Sequence, residues 1–205
     1  MRQKSIAAFI AILSAVTAAE AGSIRVELAP DGTTITFELE ATLHTVHGTA
    51  ELQRGVFEFD TATGDASGEA VAASMSADTD NRKRDKKMHA EVLRSDEHPK
   101  IVLRAKRLEG DLSLNGSSEV ILVGTIQLLG ASHPVRLPMK VSVTGSTATV
   151  ITTFSVPYVA WGLNDPSTFI LKVAKEVKVT VSATDVSIRP EPKGERSGES
   201  APGPE

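Results

Sequence analysis

The densest chemistry in the chain is a run of cations, Arg82-Lys83-Arg84-Asp85-Lys86-Lys87, followed directly by Met88 and His89. Met88 and Val92 are four residues apart, as are His89 and Leu93, so the stretch Arg82–Ser95 reads as a short basic helix with one apolar face. Cations crowded at a helix start oppose the positive end of the macrodipole, at a cost of roughly a few tenths of a kcal/mol per residue unless an anion compensates. Asp85 is the expected N-cap, with Arg82 to Arg84 in the preceding loop. Such a cluster suits a phosphate or the acidic head group of a lipid, with Arg82, Arg84 and Lys86 as the candidate contacts. A solvated helix end has the same composition.

The pair His44-Thr45-Val46-His47 has metal-ligand character. On a strand, however, residues three apart point to opposite faces, so the two rings converge only if a bulge intervenes. His89, His98 and His133 lie in other segments. No metal site is assigned, and the alternative that these residues leave open is a non-catalytic metal- or partner-binding module using His44, His47 and His89. The chain has no cysteine, no Gly-x-Ser-x-Gly elbow and no Gly-rich phosphate loop opening a helix. No nucleophile stands out for a hydrolase of lipid-like substrates. The expectation is a protein that is not an enzyme and uses no cofactor.

A third cluster is aromatic. The single Tyr, the single Trp and two of the six Phe fall between Phe154 and Phe169, beside a turn fixed by Asn164-Asp165-Pro166. These rings suit either the wall of a cavity mouth or a core plug.

The elements that position these groups are strands. Ile35, Phe37 and Leu39 alternate with Thr36, Glu38 and Glu40, and the pattern recurs through Val56–Asp60, Ile101–Ala105, Glu119–Leu129, Val135–Val143, Ala148–Phe154 and Val177–Ala183. Val71, Ala73, Met75 and Ala77 carry apolar groups on one parity. Asn115-Gly116 marks a hairpin. After Ala183 the parity switches to Val186 and Ile188, which predicts a bulge. About eight antiparallel strands with short turns fit a barrel or a sandwich. Long strands and small inward residues favour the barrel, since closure removes exposed edges and small side chains leave room for a slender ligand.

The ends read differently. Met1–Ser5 is a short positive region, Ile6–Ala19 is apolar, and Ala19-Glu20-Ala21 has the small-x-small form of a cleavage site, so residues 1–21 are expected to be a signal peptide. The apolar run is too short to span a bilayer, and no second one follows. The product is expected to be periplasmic or secreted. Residues 22–189 form one domain, and 190–205, rich in Pro, Gly, Ser and Glu, are expected to be a disordered tail. The net charge of −4 argues against nucleic-acid binding.

The order of these motifs resembles a known family. His44 to Gly48, then Arg84-Asp85-Lys86-Lys87-Met88-His89, Leu93-Arg94-Ser95, His98-Pro99-Lys100-Ile101, Gly124–Gly130, His133-Pro134-Val135 and Val177–Val181 are similar, in that order, to the YceI-like exported bacterial proteins. The likeness covers Ile24 to Ile188. It implies a lipocalin-like antiparallel barrel, all-β apart from one short α-helix, that holds a polyisoprenoid, an isoprenoid quinone or another long lipid and has no catalytic residues. The segment Ala160-Trp161-Gly162-Leu163 departs from the family's commoner wording. Parity and likeness together give Phe37, Leu39, Met75, Met88, Phe154, Tyr158, Trp161 and Phe169 as expected ligand contacts. A homodimer is compatible with all of these features.

Overall fold

The structure, a computed structural model, describes residues 22–167 and 172–191. The expected signal peptide, the tail from Pro192 onward and Phe169 lie outside the described residues. Ten strands are formed: β1 (Ser23–Leu28), β2 (Thr33–Glu40), β3 (Thr45–Ala50), β4 (Leu52–Asp60), β5 (Ala66–Ala73), β6 (Lys100–Glu109), β7 (Gly116–Leu128), β8 (Ala131–Thr144), β9 (Thr147–Val156) and β10 (Val177–Glu191).

β10 is the seam of the sheet. One edge pairs with β9 from Val177 to Ser187. The other edge pairs first with β2, at Lys178–Ala183, and then with β1, at Ser187–Glu191. β1 and β2 therefore run in line as one interrupted strand. β3 and β4, their antiparallel partners, do the same. With each in-line pair taken as one, the ten strands close into an eight-stranded antiparallel barrel. Closure satisfies backbone groups that an open sheet would leave at its edges.

The interruption has a local cause on both sides. Gly32 turns the chain between β1 and β2, and its carbonyl accepts from the Thr184 backbone N–H at 2.8 Å. Opposite, Asp185 takes a φ of 54°, and the β9–β10 register shifts between Ala183 and Val186. This is the bulge that the parity switch predicts. Beyond it β10 continues through Pro190 to Glu191, opposite Ile24 and Ser23, two residues past the boundary expected at 189.

Two expectations change here. On β5 the residues facing the barrel interior are Ala70 and Ala72, not Val71 and Ala73. Alanines occupy both parities of this strand, so its pattern carries no phase. A 3₁₀ turn at Ser74–Ser76 then ends the alternation before Met75. The second change concerns the helix. α1 (Arg82–Lys87) is capped by Asn81, whose side chain accepts from the Arg84 N–H at 3.1 Å. Asn81 is extended and sits one residue before the helix, so it is the residue that can cap. Arg82 to Arg84 are helical, and Asp85 lies a turn inside. Met88–Val92 continue as a wider π-type turn, with the Leu93 N–H reaching the Met88 carbonyl at 2.8 Å.

Two apolar clusters gather towards opposite ends of the barrel wall. One gathers Phe57, Phe59, Leu108, Leu137, Val143 and Val186. The other gathers Ile126, Leu128, Val156, Tyr158 and Leu163, with Val92 and Leu93 of the helical segment packed against it. Leu103, Val135 and Phe154 touch both. Between β2 and β3, Gly48 lies opposite Phe37. A Cβ there would come within 2.2 Å of the Phe37 ring and 2.6 Å of the Asp78 carbonyl oxygen. The absent side chain is what lets the Phe37 ring cross β3. Gly48→Ala is expected to destabilise the fold by about 1–3 kcal/mol through overpacking, read as a lower urea midpoint; an unchanged midpoint would mean that the β2–β3 pair yields without strain.

Candidate functional site

Small inward residues leave the barrel hollow. A cavity of about 700 Å³ runs through it, within the range of sites that enclose a small-molecule ligand. Its lining on β10 extends from Val177 to Ile188, roughly 35 Å of extended chain at the usual strand rise. Alanines at positions 41, 50, 70, 72 and 183 leave room between the walls, and leucines, valines and isoleucines supply most of the rest.

Polar lining residues are few and mostly lie in one region. His44 on the β2–β3 turn and Thr79, Asn81, Lys83, Arg84 and Lys87 on the helical segment face the cavity. Lys83, Arg84 and Lys87 share the helix face that carries Met88 and Val92, as the helical repeat requires. Arg84 is held in place: its Nε donates to Thr79 Oγ1 and its Nη2 to the Thr79 carbonyl, each at 2.6 Å. Thr79 Oγ1 in turn donates to Asp85. Burial alone would raise the Asp85 pKa, but hydrogen bonds from the Thr79 side chain, the Thr79 and Asn81 backbones and the nearby Arg84 charge outweigh it and hold the carboxyl below its ordinary range. Lys83 and Lys87 are the cations left to meet a ligand; Lys87 lies 3.8 Å from Glu91 in an exposed ion pair, which is a weak restraint.

The helical segment is fastened at its other end as well. His89 Nδ1 and Ser95 Oγ are 2.9 Å apart, and Ser95 Oγ lies 2.9 Å from Ser74 Oγ. Both serines are buried. Asn164 adds a bond from its side-chain amide to the Glu91 carbonyl at 2.6 Å. The aromatic loop and the helix are thereby joined across one end of the barrel.

Five of the expected contacts, Phe37, Leu39, Met88, Phe154 and Tyr158, line the cavity. Met75 does not; it is 51% exposed, because the 3₁₀ turn carries it outward. Trp161 lies outside the lining too, stacked on His133 with ring centroids 4.2 Å apart. Among the expected head-group contacts Arg84 faces the cavity, whereas Arg82 and Lys86 are exposed on other sides of the helix. Lys83 and Lys87 take their place, and the phase of Met88 and Val92 was the signal for them. The three histidines of the metal alternative do not converge. His44 lines the cavity, His47 stands 3.7 Å from Glu38, and His89 is bonded to Ser95. Among the described residues no group of three or more His, Asp or Glu side chains could hold a metal.

Residues 27–184 of the chain match the YceI-like domain model. The chain belongs to the YceI-like family. BcnA of Burkholderia cenocepacia superposes with a TM-score of 0.63 at 14% identity, covering 79% of this chain and 99% of that one. A polyisoprenoid-binding domain from Saccharophagus degradans gives 0.57 at 13% identity, over 81% and 98% of the two chains. A YCEI protein of Campylobacter jejuni gives 0.58 at 13% identity, over 74% and 88%. At these identities the likeness is one of fold. No curated protein is similar enough in sequence to match. Among the described residues no helix is long and apolar enough to cross a membrane.

Tyr158 lets this YceI-like barrel be read by pH. Its ring forms part of the cavity wall while its hydroxyl donates to the Ala174 carbonyl at 2.8 Å. Burial, followed by the Asp165 charge, pushes its pKa up to about 12. Asp165 is itself drawn down to about 2, chiefly by the Lys175 ammonium and then by Ser167. A raised folded value means that Tyr158 stabilises the barrel fully below its unfolded pKa of 10.0, and that this contribution is lost as pH rises through the folded value. Tyr158 is the only tyrosine, so phenolate absorbance reports it alone. Its midpoint is expected near 12 in the folded protein, with unfolding in denaturant returning it to the ordinary value; an ordinary midpoint in the folded state would place the hydroxyl in solvent.

Proposed function

We propose that this protein is an exported, non-catalytic carrier that holds a long apolar chain, such as a polyisoprenoid or an isoprenoid quinone, inside its barrel. One observation carries the reading: the cavity follows the length of β10 and is walled by residues of both apolar clusters, while among the described residues the cations facing it come from a single segment, Lys83–Lys87. Burying a hydrocarbon chain contributes about 0.8 kcal/mol per CH₂, so an apolar tunnel needs few polar anchors. A polar or anionic head group would then rest beside Lys83, Arg84 and Lys87. The N-terminal pattern of residues 1–21 supports export, and the polyisoprenoid-binding domain of S. degradans, with the same fold, supports the chemical class of ligand.

Mass spectrometry of organic extracts from natively purified protein is expected to find a co-purifying long-chain lipid. Ala72→Trp, which places a large ring in the cavity wall, is expected to reduce the recovered lipid at least about tenfold while circular dichroism still shows a β-barrel, since the lost burial extends over several methylene groups. Lys83→Glu with Lys87→Glu is expected to weaken binding of an anionic lipid and spare its neutral counterpart, an effect that salt would diminish. Recovery of no lipid, together with no heat-stabilisation by added isoprenoids, would sink the carrier reading.

A further inference from the structure

We infer that Thr152 is a hydrogen-bonding subsite in the cavity wall, one that selects a chain bearing an oxygen at that depth, such as a hydroxyl, keto or ester group, over plain hydrocarbon. The inference rests on the carrier reading above and names the class of chain carried.

Among the described residues, three that bear a hydroxyl line the cavity: Thr79, Thr152 and Tyr158. Thr79 is bonded to Arg84 and Asp85, and Tyr158 to the Ala174 carbonyl. Thr152 is 8% exposed, and its Oγ1 is buried without any hydrogen-bond partner. The side chains beside it on the inward face are apolar. Met139 and Val181 stand opposite it on β8 and β10, and Val150 and Phe154 flank it on the inward face of its own strand. A buried hydroxyl left unpaired is destabilising, whereas a valine has the same shape without that penalty. Val150 and Val156 serve that purpose two and four residues away.

The position is also distinct from the cationic region. The helical segment packs against the cluster that contains Val156, and Thr152 lies four residues further along β9, roughly 13 Å at the usual strand rise, so a group at Thr152 sits deeper than one beside Lys83 and Lys87. A threonine hydroxyl both donates and accepts, and its χ1 has alternative staggered positions. A ligand oxygen entering the cavity can therefore draw it from the wall into the lumen. Its partner is thus a ligand oxygen other than one held beside Lys83 and Lys87.

The test uses octadecanoic acid and its mid-chain keto derivative, with binding measured by calorimetry to the delipidated full-length protein. Wild type is expected to bind the keto chain about three- to tenfold more tightly than the plain chain, the span of one net hydrogen bond. Thr152→Val is expected to abolish that preference, to keep affinity for the plain chain, and to melt at a higher temperature than wild type when ligand-free. Thr152→Ser, which retains the hydroxyl, is expected to keep the preference. Equal binding of the two chains by wild type, or a preference that survives in Thr152→Val, would overturn the subsite while leaving the carrier reading intact. A Thr152→Val protein no more heat-stable than wild type would also overturn it, by showing that the hydroxyl already has a partner. Failure of wild type to bind either chain would overturn the subsite, and the carrier reading falls with it only if added isoprenoids also fail to heat-stabilise the protein.

Discussion

Everything in this molecule depends on β10 holding two partners along one edge. Its pairing with β2 and then β1 turns what would be an open sheet into a ring, and the ring fixes the interior dimensions before any side chain is chosen. Backbone hydrogen bonds set the spacing of neighbouring strands, so the wall cannot collapse inward when the residues facing it are small. Alanine at positions 70, 72 and 183 therefore produces a cavity here, where the same residues between two helices would draw the backbones together. The coincident breaks at Gly32 and Asp185 belong to the same constraint. They let both strands change phase at one level, so that Ala183 and Val186 both face the interior.

The helix, by contrast, is held by polar groups. Arg84, Thr79 and Asp85 bond one another at its start, and His89, Ser95 and Ser74 do so at its far end. Two of the sequence's most chemically suggestive residues, Arg84 and His89, are thus engaged in holding the segment against the barrel. Buried polar networks of this kind fix a geometry when every member is paired. They set the direction of the face that carries Met88 and Val92, and with it the side chains of Lys83 and Lys87.

What could be read from the residues alone divides along a physical line. Alternation with period two survives folding wherever side chains differ strongly in polarity, so β2, β7, β8 and β10 were legible, down to the bulge after Ala183. It fails where both parities are small: β5, with alanines on either face, has no phase of its own, and Met75 was assigned inward for that reason. The helix was legible from its spacing, whereas its cap was not, because Asn81 and Asp85 are both good capping residues and only the extended backbone at Asn81 decides between them. Trp161 shows a different limit. An aromatic beside a cavity mouth can face inward or cover the rim, and its stacking on His133, distant in sequence, follows from the closed topology.

An apolar tunnel binds strongly and discriminates weakly. Each added methylene contributes nearly the same free energy whatever the chain to which it belongs, so length is almost all that such a wall can measure. Selectivity is a difference between affinities, and in this barrel only a few groups can generate one. On the carrier reading, cations at Lys83 and Lys87 would distinguish head groups by charge, in water-exposed surroundings where salt weakens them. The Thr152 hydroxyl is buried, so under the proposed subsite a matching oxygen would gain more there and a bare methylene would leave it unsatisfied. That asymmetry would make one interior hydroxyl a sharper discriminator than several surface charges, at the expense of some ligand-free stability.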